Sequence, residues 1–197
     1  MAQTASSHRD NGEHSCKAIL GVRHSRQWRI DASIFMKTLF LVRHAKSSWN
    51  EPALADKDRP LNDRGKRAAP KVGERLAKAG AKPDLILSSP AKRALTTAKI
   101  IARKLGYKCK NIVVDDRLYA VEPEALLDVI RRLDDGAGCV MLFGHNPELT
   151  ELAHRLSSKI SHMPTCAVAE LTFDVKSWKR IGEVSPSTVA VGHPRET

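Results

Sequence analysis

Residues 39–45 read Leu-Phe-Leu-Val-Arg-His-Ala, four apolar residues followed by two basic residues and a small one. Four apolar residues bounded by polar ones are typical of a buried strand. Arg43 and His44 would then lie at the carboxyl end of that strand, the edge at which open α/β sheets bind their ligands. Many strands end in a charge, so the pattern gains its weight from returning twice more along the chain.

A second apolar run, residues 85–87, is followed by residues that predict the start of a helix. Ser89 can serve as the N-cap, and Pro90 suits the first helical position, where its missing N–H is no loss. Arg93 therefore falls in the first turns of this helix, near the positive end of the helix dipole.

A third apolar run, residues 139–143, ends in a glycine turn that contains His145. Asn146 can cap the helix that follows, and Pro147 suits its opening turn. If the three strands are parallel, four side chains converge on one edge of the sheet and form a pocket for an anion: Arg43, His44, Arg93 and His145.

Such a pocket suits the transfer of a phosphoryl group. Two guanidiniums form charge-assisted bonds to phosphate oxygens, and helix N-termini add N–H donors. A neutral imidazole can act as the nucleophile, and a second, protonated imidazole stabilises charge on the transferring group. The sequence has no acidic triplet or Walker-type loop to hold magnesium. We therefore expect neither a metal nor a cofactor.

Three motifs carry a family resemblance. Arg43-His44-Ala45, with Asn50 six positions after the histidine, resembles the signature of the histidine phosphatase superfamily, also called phosphoglycerate-mutase-like. Residues 89–94 and 144–147, which read Ser-Pro-Ala-Lys-Arg-Ala and Gly-His-Asn-Pro, resemble its later motifs. The alanine after the histidine and the compact size point more narrowly to the SixA-like phosphohistidine phosphatases. The resemblance covers about residues 36 to 180, and three ordered motifs make it specific.

The resemblance implies a three-layer α/β fold, with a mostly parallel sheet, an antiparallel edge and helices on both faces. It implies that His44 attacks phosphorus and becomes a phosphohistidine. By the same resemblance, Arg43, Arg93 and His145 bind the phosphoryl oxygens. Asn50 is a further candidate for phosphate binding, with a purely structural loop amide as the alternative.

The general acid is the point at which the chain departs from larger superfamily members, which carry a Glu in the matching segment. In residues 116–122, Ala120 takes the place of that acid and Glu122 is displaced by two residues. An alkoxide leaving group needs a proton. A protonated phosphohistidine instead releases neutral imidazole, whose conjugate acid has a pKa of about 6.5. We therefore expect a phosphohistidine phosphatase, with Glu122 as the candidate acid if the substrate is an ester.

Two alternative functions stay open at this point. One is a phosphatase, or less readily a mutase, that acts on small phosphate esters. The other is a phosphate-recognition module without turnover, although such a module has no need for a nucleophilic histidine. The expected partner is a phosphorylated protein or a small phosphorylated substrate.

Composition indicates a single α/β domain and argues against a membrane protein or a nucleic-acid-binding protein. The 197 residues are 42% hydrophobic, and the longest apolar run falls far short of the roughly 18 residues of a membrane helix. The net charge of +11 is spread over predicted helices without a nucleic-acid motif, so we expect a solvated surface and no nucleic-acid partner. Four cysteines without metal-like pairing indicate reduced thiols and a cytoplasmic location. A monomer is the default for this size.

Three segments are expected along the chain: a disordered extension over 1–35, the phosphatase domain over 36–184 and a tail over 185–197. The patterns predict strands at 38–43, 84–88, 111–114, 139–143, 167–173 and 178–184. They predict helices at 62–79, 91–105, 123–134 and 147–157. The last two strands should form an antiparallel hairpin, because the connection between them is short.

Overall fold

The computed structural model describes residues 36–194, so the predicted extension over 1–35 lies outside the described residues. The strands are β1 (Lys37–Arg43), β2 (Leu85–Ser88), β3 (Val113–Val114), β4 (Cys139–Gly144), β5 (Val168–Phe173) and β6 (Thr188–Gly192). The α-helices are α1 (Asp63–Lys78), α2 (Lys92–Lys104), α3 (Pro123–Arg131) and α4 (Glu148–Leu156). No helix within residues 36–194 is long and apolar enough to cross a bilayer.

The strands form one sheet in the order β3-β2-β4-β1-β5-β6. Strands β1, β2, β3 and β4 pair in parallel, whereas β5 and β6 are antiparallel to their neighbours. This topology confirms the predicted mixed sheet. It also brings the carboxyl ends of β1, β2 and β4 to the same edge, as the three apolar runs predict.

Alternate residues of the central strands pack against helices on opposite faces of the sheet. Leu39 and Leu41 of β1 belong to a buried cluster with side chains of α3 and α4. Phe40 and Val42 belong to a second buried cluster with side chains of α1 and α2. Because both faces of β1 are covered, its sequence is a continuous apolar run rather than an alternating one.

The prediction of a strand at 178–184 is wrong, although β5 does form an antiparallel pair with a later strand. Trp178–Arg180 form a 3₁₀ turn, and Trp178 is fully buried with its indole N–H donating to Ala137 O at 2.8 Å. The partner of β5 is β6, which lies inside the predicted tail 185–197. The apolar residues Trp178 and Ile181 therefore pack into the core and do not form a strand of the sheet. The edge strand β6 is half exposed and carries no clear alternation.

Two helices begin later than their capping residues predict. The Ser89 N–H donates to Phe143 O of β4 at 3.0 Å, its Oγ accepts from the Ala91 N–H at 3.3 Å, and α2 starts at Lys92. Asn146 does not cap α4; its side-chain amide donates to Met163 O at 3.0 Å, and α4 starts at Glu148. In both places tertiary hydrogen bonds hold the residue that local sequence favours as a cap.

The loop after β1 lies directly against the start of α1. Asn62 caps α1 by accepting from the Gly65 N–H at 2.9 Å, and its own N–H donates to Lys46 O at 3.0 Å. A Cβ atom on Gly65 would lie only 2.2 Å from Lys46 O. The absence of a side chain at this position therefore lets the loop that follows His44 in the chain pack against α1.

We expect Gly65→Ala to lower the free energy of unfolding by about 1–3 kcal/mol, because backbone atoms must move to relieve the clash. Gly138→Ala is the matched control, since a Cβ there meets atoms only at ordinary contact distance, 3.6 Å and beyond. The control should change stability by less than about 0.5 kcal/mol. Denaturant unfolding of both variants measures this, and equal stabilities would show that the loop can retreat from α1 at no cost.

Candidate active site

Strands β1 and β4 bring two histidines together. Arg43 is in register with Gly144, so His44 and His145 follow their strands at equivalent positions. The His44 N–H donates to Gly144 O at 3.1 Å, and the two imidazole rings lie 5.0 Å apart between centroids. Both rings are buried. The sequence prediction that these side chains meet at one sheet edge agrees with this geometry.

The tautomer of His44 follows from one hydrogen bond. Nδ1 lies 2.7 Å from Ala45 O, and a carbonyl oxygen can only accept, so Nδ1 carries the proton. The lone pair is then on Nε2. Burial, with smaller contributions from the positive charges of Arg93 and Arg43, lowers the pKa of His44 to about 4, although the hydrogen bond to Ala45 opposes this. The ring is therefore neutral at neutral pH, as a nitrogen nucleophile must be.

His145 differs from the protonated ring that the sequence predicts. Burial lowers its pKa to about 3, and the charges of neighbouring groups contribute less, so the ring is neutral in this structure. Its Nε2 lies 2.8 Å from Ser89 Oγ. A phosphoryl dianion beside the ring would favour the protonated form. Protonation of His145 thus depends on the charge of what binds.

Two buried nitrogen atoms at the site have no hydrogen-bond partner within residues 36–194. They are Nδ1 of His145 and Nε of Arg43. Arg43 is otherwise held by its Nη1, which donates to Met163 O at 2.9 Å. A buried polar atom without a partner costs free energy, which a hydrogen bond to an anionic oxygen recovers. This arrangement suits a ligand with several oxygen acceptors.

Arg93 lies in the first turn of α2, but an aspartate that the sequence analysis did not select holds it. Its Nη2 donates to Asp56 Oδ2 at 2.8 Å, and its Nη1 donates to Asp56 O at 2.5 Å. A second guanidinium, that of Arg59, donates to Asp56 Oδ1 at 3.0 Å. Tyr119 donates its hydroxyl to Asp56 Oδ2 at 2.9 Å. One carboxylate thus orders two cations beside the histidines.

Arg59 is the functional candidate that the sequence analysis missed. Only 7% of it is exposed, and its charge contributes to lowering the pKa of His44, after burial and the other two arginines. Its Nη2 donates to Ser47 Oγ at 3.0 Å, and its guanidinium carbon lies 3.2 Å from the centroid of the Trp49 ring. The signal in the sequence is the run Asp58-Arg59-Pro60-Leu61, where a charged residue precedes two apolar ones.

Neither Glu122 nor Asp56 is suited to donate a proton. Glu122 is exposed at the start of α3, and its side chain makes no hydrogen bond to the described residues at the site. Ala120, which takes the place of an acid, has a φ of 52° and is exposed. Desolvation favours a protonated Asp56, but hydrogen bonds from Arg93, Tyr119 and Arg59 outweigh it and lower the pKa to about 2.

Asn50 does not join the cluster of buried cations. It is exposed in the loop after β1, and its backbone N–H donates to Ser48 Oγ at 3.2 Å. Its role in phosphate binding stays a prediction. In the part of the chain that the structure describes, His, Cys, Asp and Glu side chains nowhere gather in a group of three that could hold a metal ion.

We expect His44 and His145 to stay neutral between pH 5 and pH 7, whereas an ordinary histidine is half protonated near pH 6.5. NMR of the full chain with ¹⁵N-labelled histidines measures the charge and the tautomer, with signals assigned by His44→Gln and His145→Gln. Protonation should begin only as the pH falls towards about 4 for His44 and about 3 for His145. A midpoint near pH 6.5 for either ring, or a proton on Nε2 of His44, would contradict the structure.

Comparison with known proteins places this site in a family. Residues 39–122 match the model of the histidine phosphatase superfamily, branch 1. An uncharacterized chloroplastic protein of Arabidopsis thaliana is 33% identical over 151 residues, which span 73% of this chain and 69% of the relative.

Two solved structures share the fold. One from Agrobacterium tumefaciens, which carries the name phosphohistidine phosphatase SixA, is 32% identical with a TM-score of 0.64 and covers 68% of this chain and 90% of its own. Another of that name, from Nakamurella multipartitia, has a TM-score of 0.70 at 22% identity and covers 82% and 98%. Together with the paired histidines and buried arginines, these matches show that the chain belongs to the histidine phosphatase superfamily.

Proposed function

We propose that this protein is a phosphatase that hydrolyses phosphohistidine through a covalent intermediate on His44. The observation that carries the proposal is the hydrogen bond from Nδ1 of His44 to Ala45 O, which leaves the lone pair on Nε2 among buried cations. A neutral imidazole held in one tautomer is a prepared nucleophile for phosphorus. It does not need a separate base, because burial already lowers its pKa to about 4.

In the first step, Nε2 of His44 forms a bond to phosphorus while the bond to the substrate imidazole breaks. The departing ring leaves as neutral imidazole when its other nitrogen is already protonated, so no proton has to be supplied by the enzyme. In the second step, water attacks the phosphorylated His44. Inorganic phosphate forms, and the electron pair of the broken bond returns to Nε2.

The charge that develops on the phosphoryl oxygens is met by three further side chains in this proposal. Arg43 and His145 each have a buried nitrogen without a partner within residues 36–194. Arg93 donates through Nη1 and Nη2 to Asp56, but a guanidinium has five N–H donors, so others stay available for a phosphoryl oxygen. Fixed donors of this kind stabilise a transition state because they need no reorganisation.

The choice of a phosphoramidate over an ester rests on the carboxyl groups. Asp56 stays ionised, since its pKa is lowered to about 2 by its bonds to Arg93, Tyr119 and Arg59 against desolvation. Glu122 is exposed and is not connected to the site by a hydrogen bond among the described residues. A site without a proton donor handles a leaving group that departs neutral better than one that departs as an alkoxide.

We also propose that the enzyme works in the cytoplasm, as a monomer, on a phosphorylated protein or small molecule and without a nucleic-acid partner. Cys109, Cys139 and Cys166 are free thiols. Burial raises the pKa of both Cys139 and Cys166 to about 12, which keeps them as unreactive thiols. Free buried thiols are typical of proteins from a reducing compartment.

The direct test is hydrolysis by the full chain, in the presence of a chelator, of a phosphohistidine peptide. Matched phosphoserine and sugar-phosphate substrates serve as comparisons. We expect phosphate release from phosphohistidine, reduced by roughly 10³-fold or more in His44→Ala, because the variant cannot form the intermediate. Acid-stable phosphate on the protein, or equal activity in His44→Ala, would contradict a phosphorylated histidine.

A preference for esters in that assay would move the function to a small-molecule phosphatase. Absence of all turnover, with phosphate still bound, would favour a recognition module instead.

The missing acid predicts a steep dependence on the leaving group. For aryl and alkyl phosphates, kcat/KM should rise as the leaving-group pKa falls, with p-nitrophenyl phosphate at least ~10²-fold faster than an alkyl phosphate. Ala120→Glu should narrow this gap by adding a donor beside Tyr119, and Glu122→Gln should leave it unchanged. A flat series would show that the enzyme does supply a proton, and loss of alkyl phosphatase activity in Glu122→Gln would identify Glu122 as its source.

A further inference from the structure

A cleft of about 490 Å³ beside the catalytic cluster has a strongly basic lining. We call it the basic cleft, and its basic side chains are Lys46, Arg64, Arg67, Lys71, His162 and His193. Among residues 36–194, no acidic side chain lines it. The mechanism proposed for His44 uses none of these side chains, so their concentration at one place needs its own explanation.

The basic cleft is lined by residues close in the chain to those that contact Arg43 and His44. Lys46 lies two residues after His44 in the chain. The opposite wall is Pro164 and Thr165, which lie between Met163, whose carbonyl accepts from Arg43 at 2.9 Å, and Cys166, whose N–H donates to His44 O at 3.1 Å. A molecule with its phosphoryl group at His44 therefore has its neighbouring atoms next to this cleft.

Four cations of the basic cleft lack a carboxylate at ion-pair distance among the described residues. Within residues 36–194, no ion pair joins Lys46, Arg64, Arg67 or Lys71 to a carboxylate. Elsewhere on the same helix, Lys66 pairs with Asp63. The hydrogen bond from Lys104 and, to a smaller extent, the charge of Lys71 lower the pKa of Glu74, although Lys71 and Glu74 form no short ion pair. Positive charges gathered in one concave surface attract an anion from solution and raise its local concentration.

The shape and exposure of these cations fit an acidic peptide better than a single phosphate group. Arg64, Arg67 and Lys71 are spaced three and four residues apart on α1 and so share one face. At 1.5 Å per helical residue they span about 10 Å, the length of about three residues of extended chain. All three are exposed, in contrast to the buried Arg93. Exposed, flexible cations attract acidic side chains without fixing one geometry.

We propose that the basic cleft binds acidic residues that lie within about three positions of the phosphorylated histidine in a protein substrate. The inference rests on the proposed phosphohistidine phosphatase function and adds the sequence context that the enzyme selects. Carboxylates of the substrate lie along α1 while the phosphoryl group is at His44. Selection is therefore electrostatic and weakens as salt screens the charges.

The test compares phosphohistidine peptides that carry Glu or Gln at the three positions on either side of the phosphorylated residue. Full-length protein should show a higher kcat/KM for the Glu peptide at low salt. Arg67→Gln and Lys71→Gln should each lower that advantage about two- to fivefold. Lys110→Gln is the matched control: it removes the same charge next to β3, at the far edge of the sheet from β6, and should keep the advantage.

A second readout does not depend on turnover. His44→Ala protein binds fluorescent Glu and Gln peptides that carry a non-hydrolysable phosphonate analogue of phosphohistidine, and anisotropy gives the affinities. Tighter binding of the Glu peptide that is lost in Arg67→Gln and Lys71→Gln supports the inference, even if no phosphohistidine is hydrolysed and the proposed function fails. Equal affinity for both peptides overturns the inference, even if both are hydrolysed.

A small bisphosphate serves as competitor in the same experiment. Displacement of the Glu peptide only at concentrations that also displace the Gln peptide supports a cleft that recognises peptide carboxylates. The opposite result is that the bisphosphate displaces the Glu peptide at far lower concentration than the Gln peptide, with Lys71→Gln abolishing that difference. This result overturns the acidic peptide as the ligand and assigns the cleft to a second phosphate group.

Discussion

The parallel pairing of β1 with β4 is the constraint on which the site depends. Arg43 lies opposite Gly144, and this register places the two histidines one residue beyond their strands, 5.0 Å apart between ring centroids. A shift by one residue would turn each side chain to the other face of the sheet. Because Leu41 and Val42 are buried in separate clusters on opposite faces, such a shift would also exchange residues between the two clusters and disrupt their close packing. Packing of the core therefore maintains the relative positions of His44 and His145.

The site also depends on buried positive charges. Arg93 and Arg59 are each only 7% exposed, yet a single carboxylate, Asp56, is the acidic group that pairs with both. The remaining positive charge lowers the pKa of His44, after burial itself, and keeps the imidazole neutral. The neutral imidazole and the site suited to an anion thus arise from the same cause: cations and histidines buried where water reaches them poorly.

Much of this arrangement could be predicted from the sequence, because strand and helix patterns are strong where both faces of an element are buried. The run at residues 39–45 identified β1 and the two catalytic candidates at its end. Prediction failed where tertiary contacts decide: Trp178 fills the core instead of continuing a strand, and β6 has an exposed, patternless sequence. Asp56 lies in a three-residue 3₁₀ turn, which Arg59 directly follows. So short an element gives no periodic signal, and only the folded chain shows the contact of Asp56 with Arg93.

Asp56 has a consequence for the end of the reaction cycle. Its carboxylate shares the guanidinium of Arg93 with whatever anion occupies the site, and its low pKa keeps it charged at all physiological pH values. An anion bound by Arg93 would therefore lie close to a fixed negative charge. Like charges at short range repel, so under the proposed function the carboxylate that orders the arginines would also weaken the binding of the phosphate product. One side chain would thus both organise the site and favour release of the product.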